Sequence, residues 1–226
     1  MLAALLDWLL PPRCGSCRAL GSWLCGRCLT RVRPLEEPLC VRCGRELESR
    51  AQRCACARRL RHLARLRAAV AYEGPLERAV HRFKYRGWRS LAPALARLMT
   101  ARLAVDGLPA QVVVAVPLHP NRERRRGYNQ SELLAAELRR RFGLEAPPGR
   151  LERIRDTRPQ VGLDRLDRAA NVAGAFRWSG PRASGEPVLV VDDVITTGAT
   201  LEAVAAALSA AGFGRITGIA LARVSL

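Results

Sequence analysis

The stretch with the clearest chemistry covers residues 188–200 and reads VLVVDDVITTGAT. Four apolar residues lead into the neighbouring carboxylates Asp192 and Asp193, and a Thr/Gly turn follows them. This pattern predicts a buried strand over residues 187–191, a loop at the ligand-binding edge of a sheet, and then a helix. The first N–H groups of such a helix suit a phosphate, and Gly198 lets the backbone approach it closely.

The two carboxylates need a partner of a different kind, because they would repel that phosphate. Vicinal ribose hydroxyls fit, since each can donate a hydrogen bond to a carboxylate oxygen. A phosphate and a diol held by one loop indicate a ribose 5-phosphate. A turn aspartate and a helix-capping threonine would explain one or two positions but not the whole run. The candidate contacts are Asp192, Asp193, Thr196, Thr197, Gly198, Ala199 and Thr200.

Eight cysteines, all before residue 57, form the second chemical group: Cys14, Cys17, Cys25, Cys28, Cys40, Cys43, Cys54 and Cys56. Repeated close pairs favour zinc over a disulfide framework, because two thiolates on one turn can occupy two corners of a tetrahedron. Eight ligands fill two closed, structural Zn²⁺ sites. The short spacers favour pairing in sequence order, with an interleaved arrangement as the alternative. Reduced thiolates predict a cytoplasmic protein.

Strands and helices alternate after the cysteines, which predicts an α/β fold with a parallel sheet and flanking helices. Residues 58–68 form a helical or extended connector. We expect two domains, an N-terminal helix with a double zinc ribbon over residues 1–57 and an α/β domain over residues 58–226. The other predicted strands cover residues 68–72, 111–116 and 216–222, and the helices cover 76–85, 91–103, 131–142, 163–172 and 201–211.

The composition is strongly basic, with 38 Lys and Arg residues, 20 Asp and Glu residues and a net charge of +18. This charge favours polyanions and phosphorylated ligands, although the arginine excess could also reflect genomic base composition. Only one of the basic residues is a lysine, Lys84. No apolar run approaches the roughly 20 residues of a membrane span. The chain also lacks the Walker A and Gly-x-Gly-x-x-Gly nucleotide motifs.

The sequence resembles a known family along essentially its whole length. Residues 188–200 resemble the phosphoribosyl pyrophosphate (PRPP) loop of type I phosphoribosyltransferases. Together with the cysteine-rich start, five further motifs in this order resemble the ComF family of ComFC-like and GntX-like proteins. They are residues 11–17 (PPRCGSC), 83–87 (FKYRG), 116–120 (VPLHP), 125–130 (RRGYNQ) and 160–163 (QVGL).

The resemblance implies roles for residues outside the Thr/Gly turn. Mg²⁺ would accompany PRPP, and Asp192 and Asp193 would be catalytic, holding the ribose and favouring the positive charge that forms at C1. Residues 150–168 resemble the mobile loop that closes over PRPP, with Arg153, Arg155 and Arg158 as its cations. The implied pyrophosphate contacts are Pro117, Leu118, His119 and Lys84.

The ribbons are rich in arginine, which suits a nucleic-acid backbone better than a small neutral base. The aromatic residues that could stack on single strands are Trp23, Tyr85, Trp88 and Tyr128. The candidate DNA contacts are Arg13, Arg18, Arg31 and Arg33.

Two hypotheses of different classes follow. Likeness to the ComFC branch implies a PRPP-binding protein that acts on single-stranded DNA in natural transformation, with a competence-machinery helicase as a partner. The alternative is a phosphoribosyltransferase with an unidentified small-molecule acceptor. A PRPP-sensing regulator without catalysis is a third hypothesis. Pyrophosphate release from PRPP, measured with and without DNA, would separate them.

Overall fold

The computed structural model describes residues 11–107, 110–157 and 165–224. The helix predicted near the N-terminus, the motif at residues 160–163 and Arg158 lie outside these ranges. No helix in the described ranges combines the length and the apolar character needed to cross a membrane.

A parallel sheet of four strands forms the centre of the fold, in the order β1-β6-β5-β2. A separate antiparallel hairpin pairs β3 with β4. The parallel sheet with flanking helices confirms the predicted fold class. The strands are β1 (Arg65–Ala71), β2 (Val112–Ala115), β3 (Arg150–Arg153), β4 (Phe176–Ser179), β5 (Val188–Ile195) and β6 (Ile216–Arg223).

Helices connect the strands and cover both faces of the sheet. The predicted helix over residues 131–142 is present with a one-residue extension, and it ends at Gly143, whose φ of 64° is left-handed. The helices are α1 (Gly26–Leu29), α2 (Gly74–Tyr85), α3 (Ala92–Asp106), α4 (Pro120–Arg126), α5 (Gln130–Phe142), α6 (Arg165–Val172) and α7 (Ala199–Ala210). Short 3₁₀ turns cover Ala55–Arg58 and Arg89–Leu91.

The two faces of the sheet carry separate hydrophobic cores, because side chains alternate along each strand. In β2, Val113 packs with α2, α3 and α5, while Val112 and Val114 face the other way, towards α7. All three valines are buried. This burial on both faces explains why the strands read as nearly continuous apolar runs.

The second cysteine-rich ribbon packs against the sheet rather than standing apart from it. Its residues Leu35 and Leu39 belong to the same buried cluster as α7. Backbone hydrogen bonds join it to β1, from Leu66 N to Arg42 O at 2.8 Å and from Ala71 N to Arg33 O at 3.0 Å. Loss of this ribbon should therefore disturb the sheet as well.

Strand β5 is longer than predicted. The sequence predicts its end at residue 191, whereas it continues to Ile195, because its pairing with β6 extends to Arg223. Asp192 and Asp193 are thus strand residues, and the loop begins after them. The pattern also missed α4, whose short, charged sequence lacks an apolar repeat, and the β3–β4 hairpin, whose strands have only four residues each.

Candidate functional site

The two adjacent carboxylates lie buried near the end of β5, with Asp192 8% exposed and Asp193 4% exposed. Ser131 Oγ, from the start of α5, donates to Asp192 Oδ1 at 3.1 Å. The backbone N–H of Asp193 donates to the same oxygen at 2.8 Å. Burial, together with the charge of Asp193, raises the pKa of Asp192 to about 7. Such a like-charge pair is costly, which is typical of a functional site.

Lys84 supplies the counter-charge to this pair. Its Nζ lies 2.8 Å from Asp193 Oδ1, and its side chain is 17% exposed. Burial opposes the charge, but the attraction of Asp193 outweighs it and raises the pKa of Lys84. Asp193 Oδ2 is buried and has no hydrogen-bond partner within the described ranges. It is therefore an acceptor that a ligand hydroxyl could satisfy.

The Thr/Gly turn follows β5 directly. Gly198 has a φ of 86°, a backbone conformation that favours glycine, and a Cβ there would lie 2.9 Å from a methyl carbon of Leu66, which would have to shift. Thr197 Oγ1 accepts from the N–H of Ala199 at 3.3 Å. Helix α7 starts at once after the turn. The strand, turn and helix expected for a phosphate cradle are all present.

The loop after β2 begins beside the carboxylate pair, because β2 and β5 are parallel neighbours and Ala115 pairs with Val191. It holds Pro117, Leu118 and His119, the implied pyrophosphate contacts. His119 caps α4, and its Nδ1 accepts from the N–H of Asn121 at 3.3 Å. The Asp156 carboxylate also lies near this nitrogen, with Oδ2 3.6 Å from Nδ1. Lys84, the fourth implied pyrophosphate contact, lies beside the carboxylate pair and contacts Asp193.

The segment that resembles a mobile loop begins with an ordered strand. Arg153 lies in β3, where register with β4 buries it to 9% exposure, and its guanidinium carbon lies 5.4 Å from the ring centre of Phe176. Arg155 lies after the strand and donates to the carbonyl of Ala173 at 2.7 Å. Both guanidinium groups therefore have contacts within the chain.

The eight cysteines form two clusters in sequence order, which confirms the favoured pairing: Cys14, Cys17, Cys25 and Cys28, then Cys40, Cys43, Cys54 and Cys56. Within each cluster, the sulfur atoms all lie within 4.8 Å of one another. The Sγ atoms of Cys40 and Cys56 are 3.6 Å apart. A zinc tetrahedron with Zn–S of about 2.3 Å has edges of about 3.8 Å, so both clusters fit zinc.

Known proteins match the chain over nearly its whole length. Residues 5–58 match the double zinc ribbon domain. DNA utilization protein YhgH of Salmonella typhi is 34% identical over 87% of this chain and 90% of the relative. Competence protein F of Haemophilus influenzae is 32% identical over 93% of this chain and 96% of the relative. The chain belongs to the ComF family.

A third ComF-family relative is more distant. Competence protein ComFC of Bacillus subtilis is 28% identical over 79% of this chain and 74% of the relative. Its match spans most of both chains, like the other two.

This ComF-family chain links its second cysteine cluster to the Thr/Gly turn through Arg223, which the sequence analysis missed. Arg223 ends β6 and is 6% exposed. It donates to the carbonyl of Cys43 and, at 3.4 Å, to that of Thr196. A charged residue closing an apolar strand was the available signal. The contact of Ser131 with Asp192 was also missed, because the sequence Asn-Gln-Ser at the start of a helix predicts only a helix cap.

Lys84→Met should lower the free energy of unfolding of this ComF-family protein by about 3–5 kcal/mol, because it leaves the Asp193 carboxylate buried without its cation. Urea denaturation measures the loss. Adding Asp193→Asn should recover most of it, since the amide carries no charge. Wild-type stability in the Lys84→Met protein would contradict the ion pair.

Proposed function

We propose that this protein binds PRPP as its magnesium complex and handles single-stranded DNA during DNA uptake. The names of its relatives, competence protein F and DNA utilization protein, support the DNA part. We infer a cytoplasmic location, because zinc-binding thiols must stay reduced. As the resemblance implies, a helicase of the competence machinery would be a partner.

The buried carboxylate pair beside the Thr/Gly turn carries the PRPP proposal. The ribose hydroxyls would donate to Asp192 and Asp193, and one of them would satisfy the buried Asp193 Oδ2. The 5-phosphate would accept from backbone N–H groups at the start of α7 and from threonine hydroxyls. The loop at residues 117–119 would bind the pyrophosphate.

If transfer occurs, the chain contributes position and charge. Asp192 and Asp193 hold the ribose and stabilise the positive charge that forms at C1. His119, in the loop after β2, would donate a hydrogen bond to the departing pyrophosphate. Magnesium, which arrives with PRPP, would neutralise part of the charge on the leaving group.

Transfer to a small acceptor is the second candidate, and one cavity favours it. The cavity has a volume of about 530 Å³ and opens beside Thr197. Apolar side chains, including those of Leu60 and Phe176, form much of its lining. A cavity of this size and character could hold an aromatic base. Release of pyrophosphate that depends on such a base would favour this candidate.

Two binding measurements test the main proposal. In a thermal-shift series, PRPP with Mg²⁺ should raise the melting temperature more than ribose 5-phosphate or pyrophosphate does, because only PRPP fills both loops. Fluorescence anisotropy should show binding of a labelled oligothymidylate that weakens with salt. No shift with PRPP would overturn the PRPP part, and no binding of the oligonucleotide would overturn the DNA part.

A further inference from the structure

A basic groove of about 360 Å³ opens beside the Lys84–Asp193 ion pair. Four of its six lining residues are cationic, and no carboxylate lines it among the described residues. The lining residues are Lys84, Tyr85, Gly87, Arg122, Arg125 and Arg126. The three arginines, which α4 presents together, have no role in the predicted PRPP site.

Much of the positive charge in this groove is not neutralised by nearby carboxylates. Arg125 donates to the backbone carbonyl of Asn121 at 3.3 Å, and Arg126 donates to the side-chain oxygen of Gln130. Both acceptors are neutral, so these hydrogen bonds do not balance the charge of either guanidinium. Arg122 differs, since its Nε lies 3.5 Å from Asp156 Oδ1. The groove therefore suits a phosphate-bearing ligand.

Tyr85 adds an aromatic surface to this charge. Its side chain is 63% exposed, although the Arg126 guanidinium lies 5.2 Å from the ring centre and the His81 ring is 5.0 Å away. A phosphate or pyrophosphate alone would not stack on an aromatic ring. A nucleic-acid strand uses both features, since its bases stack on rings and guanidinium planes while its phosphates bind arginine.

The other stacking candidates are less open. Tyr128 is 7% exposed and donates its hydroxyl to the carbonyl of Phe83. The guanidinium carbons of Arg18 and Arg82 lie 5.5 and 5.7 Å from the ring centre of Trp88. Trp23 packs against a hydrophobic core. Among the four aromatic candidates, Tyr85 offers the most accessible ring.

The ribbon arginines are also weaker candidates than the sequence indicates. Arg33 Nη1 lies 2.7 Å from Glu46, and its Nε lies 2.9 Å from Glu73, so its charge is paired. Arg18 stacks on Trp88, as described above. Arg13 and Arg31 are exposed and could add general attraction for a polyanion.

We propose that the groove formed by α4 and the end of α2 binds single-stranded nucleic acid, with phosphates on Arg125 and Arg126 and a base against Tyr85. The inference rests on the proposed DNA-handling function and gives it a location. Lys84 lines the groove and also contacts Asp193, so the strand would lie one side chain away from the carboxylate pair.

Anisotropy of a labelled oligothymidylate of about 20 nucleotides tests the groove. The Arg125→Gln, Arg126→Gln variant should bind it at least tenfold more weakly, with a salt slope smaller by about 1.4 for two lost phosphate contacts. Tyr85→Leu should weaken binding by about 5- to 100-fold without changing the slope. Arg140→Gln, Arg141→Gln is the matched control, since it removes two charges at the far end of α5 and should bind almost as wild type.

Calorimetry with PRPP and with inorganic pyrophosphate separates the groove from the PRPP site. Both ligands should bind the Arg125→Gln, Arg126→Gln variant as they bind wild type, and melting temperatures confirm that each variant is folded. Wild-type DNA binding in this variant, or equal loss in the control, would overturn the groove. A parallel loss of pyrophosphate binding would also overturn it, by making the groove a pyrophosphate subsite. Failure of PRPP to bind wild type would overturn the PRPP proposal alone.

Discussion

Asp192→Asn is expected to stabilise the unliganded protein at pH 8 by about 1–3 kcal/mol, because it removes one of two adjacent buried charges. The pKa of Asp192 is raised to about 7 in the folded protein, whereas an unfolded aspartate titrates near 3.9. The folded state therefore holds the proton more tightly, and stability falls as the pH rises from about 4 to about 7. Asparagine does not ionise, so the variant does not lose this stability, and its side-chain oxygen still accepts hydrogen bonds from Ser131 and the Asp193 amide.

Thermal unfolding of both proteins at pH 5 and pH 8 measures this effect. The gain from Asp192→Asn should be larger at pH 8, at about 2–4 °C for each kcal/mol in a chain of this size. The same variant should lose affinity for PRPP, since the amide is a poorer acceptor for ribose hydroxyls. A variant that is less stable than wild type at pH 8 would show that the charge of Asp192 does not destabilise the folded protein.

Cys43→Ser should damage the protein far more than Cys17→Ser, although each removes one ligand from a zinc cluster. Cys43 belongs to the buried core shared with α7, and Arg223 connects its carbonyl to the Thr/Gly turn. Cys17 is exposed. Since zinc contributes directly to folding, we expect Cys43→Ser to lower the melting temperature by about 10 °C or more and Cys17→Ser by a few degrees.

Elemental analysis and calorimetry complete this comparison. Wild type should hold two zinc ions per chain, and each variant should lose the ion of its own cluster. PRPP binding should weaken in Cys43→Ser and survive in Cys17→Ser, because Arg223 joins the second cluster to the turn. Equal destabilisation by the two substitutions, or little zinc in reduced, folded wild type, would contradict the roles given to the clusters.

Local spacing made much of the site predictable. The short spacers between the cysteine pairs favour pairing in sequence order over the interleaved alternative, and the structure has the sequential clusters. The apolar run before Asp192 predicts a strand, and Gly198 marks the turn. Helix α4 also left a signal, with Pro120 at its first position and Gly127 at its end, but it has no apolar repeat.

Long-range pairing could not be predicted in the same way. Lys84 and Asp193 lie in distant parts of the sequence, and only the packing of α2 against the sheet brings them together. The ion pairs of Arg33 depend on how the second ribbon docks on the sheet. The residues next to Arg33 in the sequence do not indicate whether its guanidinium pairs with carboxylates or contacts DNA. Strand β5 also extends through the carboxylates because of β6, which its own sequence does not reveal.

Calorimetric titration of PRPP with Mg²⁺ into wild type and into the Asp192→Asn, Asp193→Asn variant tests the central claim most directly. A Glu36→Gln, Glu48→Gln protein, which loses two exposed carboxylates, is the control for charge. We predict one PRPP bound per chain in wild type and in the control, and at least a hundredfold weaker binding in the aspartate variant. Binding of PRPP to the aspartate variant as tightly as to wild type would contradict the site.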